Sequence, residues 1–180
     1  MKNFKYLIQF LLVISLLLIF KTLGPKFSSY LSGKIFELIG PLFRSKKIIH
    51  SNIKRAFPTI GTSDLGKMTK DMWNNYGRVF AEYMFMKNFR YGDLAANIKI
   101  EGKEILDDIK KFNKQVVFVS GHFSNFELMA MTLERNGIKL STIYRPLNNI
   151  FLNGIMEGIR KKYICKNQFK KGINGVKESL

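Results

Sequence analysis

The chain has 180 residues, 46% of them apolar and 24% charged, which is enough for one domain of ordinary size with a real core. Its net charge is +17, so anionic partners are favoured and cationic ones disfavoured. A single cysteine, Cys165, excludes an internal disulfide and any cysteine-based zinc cluster. The basic excess is uneven: residues 1–60 carry ten Lys or Arg against one acid, Glu37. Lysines outnumber arginines 23 to 7. Base readout and bidentate phosphate grips favour arginine, so a lysine-rich balance fits diffuse attraction to a charged surface better than nucleic-acid recognition. A compositional habit of the source organism accounts for it equally well.

In chain order, Tyr6 to Phe20 is apolar except for Gln9 and Ser15, with Lys2 and Lys5 before it and Lys21 and Lys26 after it. The wider stretch from Phe4 to Leu23 spans about 30 Å as a helix, the thickness of a bilayer core. No small-x-small cleavage site follows, which disfavours a signal peptide, and an all-round apolar surface disfavours a soluble core helix. We expect a membrane anchor over 1–26. The basic flank after it places the bulk of the chain in the cytoplasm. Residues 27–96 read as a helical, membrane-proximal region. In it, Phe27 to Phe43 reads either as a helix lying on the bilayer or as one packed on the domain, broken at Gly40-Pro41. A helix over 48–57 ends at Pro58. The spacing of Leu65, Met68, Met72, Tyr76, Val79, Phe80 and Tyr83 predicts a long helix starting near Thr62 or Ser63 and reaching about Met86.

Residues 97–180 read as an α/β core. Strands are expected at 98–101, 115–119 and 139–144. Helices are expected at 104–112, from Asn125 to Asn136 with Gly137 as its C-cap, and from Asn149 to Tyr163. This alternation implies an α/β fold with a mostly parallel sheet flanked by helices. Sites in such sheets lie beyond the C-terminal strand ends, where both the His122 turn and the Arg145-Pro146 turn fall. Three strands leave the sheet unfinished. Ile173, Val176 and Leu180 suggest an amphipathic helix at the end, which should lead to a further strand. We therefore expect a chain shortened at its C-terminus, whether a fragment or a naturally short protein.

The segment Ser120-Gly121-His122-Phe123-Ser124-Asn125-Phe126-Glu127 is the one that reads as reactive. Acylating a hydroxyl requires a base, and a neutral imidazole suits that task near neutral pH. A carboxylate on the other ring nitrogen fixes the tautomer. His122 is the candidate base and Glu127 its partner. Backbone N–H groups at the following helix start are candidate oxyanion donors. No Gly-x-Ser-x-Gly elbow exists, and the other histidine, His50, is far off in sequence, so neither a serine nucleophile nor a histidine metal site is indicated. Cys165, with no histidine near it in sequence, reads as incidental.

Gly121-His122-Phe123-Ser124-Asn125-Phe126-Glu127 resembles the Gly-His-x-Gly-Asn-Trp-Glu signature of the late acyltransferases of lipid A biosynthesis, lauroyl and myristoyl transferases of the His-x4-Asp/Glu superfamily. Asn52 to Pro58, Trp73 with Gly77, Arg78 and Glu82, Ile100-Glu101-Gly102 and Tyr144-Arg145-Pro146-Leu147-Asn148-Asn149 resemble further segments of that family in the same order. Ser124 stands where glycine is usual and Phe126 where tryptophan is usual, and the family's later Asp-Gln strand and Gly-rich segment do not occur. The resemblance implies a glycerolipid-acyltransferase-like fold and transfer of a fatty acyl chain from acyl carrier protein to an anionic lipid A precursor. It implies His122 and Glu127 as the catalytic pair, and Arg145, Asn125 and Arg160 at the substrate. No cofactor, metal or nucleic acid is implied. The location implied is the bacterial inner membrane, with the catalytic part on its cytoplasmic face. Two alternatives stay open: a lysophospholipid acyltransferase, and a non-enzymatic basic membrane binder.

Overall fold

The computed structural model describes residues 2–172. The helix expected around Ile173, Val176 and Leu180 lies outside them. The chain divides into two compact units, Leu17–Met84 and Met1–Leu16 with Phe85–Leu180.

Helix α1, Lys2–Leu23, carries the apolar run and contributes residues to both units. At 1.5 Å per residue it is about 33 Å long. It is long and apolar enough to cross a membrane, and most of its residues are exposed. Only Leu17 and Phe20 are buried.

Within the first unit, α2 (Pro25–Ile39), α3 (Lys46–Ala56) and α4 (Thr62–Glu82) follow. The packing of α2 on α4 dominates. Helix α2 presents Ser28, Ser29, Ser32 and Gly33, all buried, and α4 presents Gly77 and Ala81. A Cβ on Gly77 would stand 2.3 Å from the Ser32 carbonyl oxygen, so the two backbones touch there. Of the two readings of this segment, α2 is thus a helix packed on the domain along its small-residue face, with Phe36 against Phe80 (centroids 5.5 Å apart), while Phe27, Tyr30 and Leu38 stay exposed. Ser29 donates to Glu82 (3.0 Å) and Asn74 donates to Glu37 (2.6 Å) across the pair. Because the clash at residue 77 is with backbone, Gly77→Val forces the helices apart. We expect a loss of about 1–3 kcal/mol, read as a lowered midpoint in denaturant unfolding.

The second unit holds α5 (Met86–Tyr91), α6 (Lys103–Lys111), α7 (Glu127–Arg135), β1 (Ser141–Tyr144), α8 (Ile150–Ile159) and β2 (Asn167–Lys170). The long helix expected to reach Met86 ends at Glu82, and a 3-10 turn over Tyr83–Phe85 separates it from α5. Strands β1 and β2 pair in parallel, from Ser141 opposite Asn167 to Tyr144 opposite Lys170, with α8 as the crossover. The class is α/β, as expected, with few strands and many helices. Leu106 of α6, Leu133 of α7 and Ile138 form a buried cluster that Ile100, Ile109, Phe118 and Leu140 flank. Gly137, at φ 81°, closes α7, and the Gly137 and Ile138 amides donate to Glu134 (3.0 Å) and Leu133 (3.1 Å).

Two expected strands are not strands. Residues 98–101 and 115–119 join no ladder among the described residues. The pattern of the second survives without the ladder: Phe118 packs on the core, while Val117 and Val119 are about 90% exposed. A strand is defined by a partner backbone, and the described partners here are only β1 and β2.

Candidate active site

The His122 turn and the Arg145 turn border one cleft of about 1310 Å³, lying wholly in the α/β unit. Gln115 to Phe118 and β1 form its sides. His122, Glu127, Arg145 and Arg160 all contribute to its lining. The volume exceeds the roughly 300–1,000 Å³ of a typical small-molecule pocket.

Each side chain has a local cause. Ser120 to Phe126 makes an irregular turn, and Glu127 opens α7. His122 is exposed to the cleft, and its ring leans on Phe126 with centroids 4.2 Å apart. Phe126 thus limits where the imidazole can sit. Glu127 is 6% exposed, and a carboxylate in a first helical turn is favoured by the helix dipole. Asn125 is half-buried in the turn, and its carbonyl accepts the Leu128 amide at 3.1 Å. The Met129 amide donates to Phe126 at 3.3 Å. These two N–H groups are therefore engaged within the turn and do not serve as oxyanion donors.

Ser124 takes φ 45°, in the left-handed region. A residue with a Cβ is strained there by about 1 kcal/mol relative to glycine. Ser124→Gly is expected to raise thermal stability by that amount, read by calorimetry, with the turn kept.

Arg160 was expected at the substrate, and it also reaches Glu127. Its Nε donates to Glu127 Oε1 at 2.9 Å and a terminal nitrogen makes a second, very short bond to the same oxygen. Both side chains are largely buried. Arg160 begins a π-helical turn, Arg160–Ile164, that follows α8. Such turns insert a residue into the helix and re-aim its side chains. The guanidinium also lies over the Tyr144 ring, 5.5 Å from its centroid. Arg145 is exposed and forms no ion pair among the described residues.

Asn153, Glu157 and Lys170 were not anticipated, and Tyr144 and Asn149 were seen only as members of a motif. The Tyr144 hydroxyl donates to Glu157 in a very short bond. Asn153 donates to the same carboxylate at 2.7 Å, and Lys170 pairs with it at 3.4 Å. Burial raises the Tyr144 phenol above its ordinary value, and the hydrogen bond to Glu157 adds to the shift. The Tyr144 hydrogen bond lowers the Glu157 carboxyl against the opposing effect of burial. Asn149, buried, caps α8 by accepting from Phe151 (3.1 Å) and Leu152 (3.3 Å), and donates to the Tyr6 carbonyl of α1 at 2.9 Å. The i, i+4 spacing of Asn153 and Glu157 is a local signal for their contact, and an asparagine just before α8 is one for the cap, whereas no local pattern brings Tyr144 or Lys170 to Glu157.

A cleft beside a His-x4-Glu turn narrows the chemistry without naming it. The family model of the bacterial lipid A biosynthesis acyltransferases matches residues 1–178. The chain belongs to that family. No curated protein and no solved structure matches it. This lipid A acyltransferase is thus an enzyme of acyl transfer in lipid A biosynthesis, and it is membrane-associated, as α1 fits. The family suggested by the ordered motifs is the family found.

Proposed function

We propose that the protein moves a fatty acyl chain from an acyl carrier protein thioester to a hydroxyl of a lipid A precursor, at the cytoplasmic face of the bacterial inner membrane. The observation that carries this reading is the shared cleft: His122, Glu127, Arg145 and Arg160 line one cavity large enough for an acyl chain. His122 takes the proton of the acceptor hydroxyl as its oxygen attacks the thioester carbonyl carbon. The C–O bond forms, the carbonyl electrons return, and the C–S bond breaks. The departing thiolate takes the proton back from the imidazolium, so the products are an ester and a thiol. Glu127 steadies the imidazole, and the Arg160 ion pair fixes where that carboxylate lies. Arg145, exposed beside the cleft, supplies a bidentate grip for a phosphate of the acceptor or of the carrier's prosthetic arm. Asn125 shapes the turn through its backbone. The excess of positive charge draws both the acidic carrier protein and anionic lipid to the enzyme.

The test is product analysis. With acyl carrier protein thioester and a lipid A precursor, mass spectrometry should show the acceptor heavier by one acyl group and the carrier thiol released. Conversion of lysophosphatidic acid to phosphatidic acid, with the lipid A precursor unchanged, would move the enzyme to phospholipid synthesis. Membrane binding with no transfer to either acceptor would leave only a basic membrane protein.

A further inference from the structure

The corner between α2 and α3 is apolar at its tip and basic behind it. Leu38 is 80% exposed, Leu42 83% and Phe43 75%, the three most exposed large apolar side chains of the Leu17–Met84 unit. Gly40-Pro41 ends α2, and a 3-10 turn, Gly40–Leu42, carries the chain around. The turn is held at its base, because a Cβ on Gly40 would stand 2.3 Å from the Trp73 ring of α4. The side chains that face water are therefore displayed from a backbone with little room to fold them away. Immediately after them come Arg44, Lys46 and Lys47, all exposed, and none forms an ion pair among the described residues.

We propose that this corner is an insertion tip for an anionic bilayer, with Leu38, Leu42 and Phe43 among the acyl chains and Arg44, Lys46 and Lys47 at lipid phosphates. Three features select a lipid layer over a protein. The apolar residues cluster at a projecting turn, which a fluid layer accommodates and a second folded surface must be built to receive. The charge is complementary to anionic headgroups, each cation near such a surface contributing attraction. A second copy would bring two clusters of the same sign together, which opposes pairing. This inference is independent of the acyl-transfer chemistry, so either can fail alone.

The experiment uses the whole chain reconstituted in vesicles. Cys165 is fully buried, so a thiol-reactive nitrobenzoxadiazole dye on Leu42→Cys or Phe43→Cys reports the tip. Unlabelled wild type and circular dichroism check selectivity and folding. In phosphatidylcholine vesicles containing phosphatidylglycerol, the dye should emit to the blue and be quenched by lipids spin-labelled on the acyl chain. The same dye on Asp108→Cys of α6, an exposed charged position, should do neither. Removing three cations as Arg44→Gln, Lys46→Gln and Lys47→Gln should lower the inserted-to-aqueous ratio about a hundredfold, at about fivefold per charge. A water-like, unquenched dye at both tip positions overturns the proposal. So does shielding that rises with protein concentration, which indicates a second copy, or shielding that appears only on adding acyl carrier protein.

Discussion

His122→Gln should lower kcat for acyl transfer by about 10²–10⁴-fold and leave KM within a few-fold. Glutamine keeps comparable size and an N–H donor, and it cannot take a proton at neutral pH. The substitution therefore removes the proposed base with little change to the cleft. The folded state should barely change, because His122 is exposed and its main packing partner is the Phe126 ring. The measurement is initial rate against acceptor concentration, with thermal unfolding of both proteins beside it. Equal unfolding midpoints with a collapsed kcat locate the effect in proton transfer. A kcat within tenfold of wild type would remove His122 from the role of base. His122→Ala is the weaker probe, since it also deletes the contact that positions Phe126 against the turn.

The parts of this fold that could be read from sequence are those set by local pattern. Helices α6, α7 and α8 follow from apolar spacing, and the end of α7 follows from Gly137, whose φ of 81° suits glycine. Helix α3 stops before Pro58 for a steric reason that any sequence shows. The failures share the opposite property. Val116 to Val119 has strand composition, but a strand needs a backbone beside it, and composition does not supply one. Strand β2, Asn167–Lys170, was not expected at all, because Asn167 and Lys170 disfavour strands, Phe169 alone favours one, and it is pairing with β1 that makes it a strand. The small-residue face of α2 suggested nothing by itself until Gly77 met Ser32 across 45 positions of chain. In the site, residue types were legible and partnerships were not. His122 and Glu127 lie in one turn, so the motif shows them together. Arg160 lies 33 positions beyond Glu127, and its place was indicated by family resemblance alone.

That pairing makes Arg160→Met the second large effect. Methionine keeps much of the apolar stem and removes the charge. Glu127 is 6% exposed, so the substitution takes from a buried carboxylate the cation that holds it. Breaking a buried pair from one side costs about 3–5 kcal/mol, whereas replacing both partners costs much less. We therefore expect Arg160→Met to lose about 3–5 kcal/mol in denaturant unfolding, and Glu127→Gln with Arg160→Met to recover part of that loss. The sign of the coupling is what matters. Were Arg160 present only to bind substrate, its removal would raise KM, leave stability near wild type and show no coupling to Glu127. The kinetic arm separates the two roles further. On the proposed mechanism, a Glu127 carboxylate that has lost its anchor steadies the imidazole poorly, so kcat should fall in Arg160→Met even at saturating acceptor. Arg160→Lys should rescue stability more than kcat, because an ammonium restores the charge and not the two-nitrogen grip on one oxygen that sets the direction of Glu127.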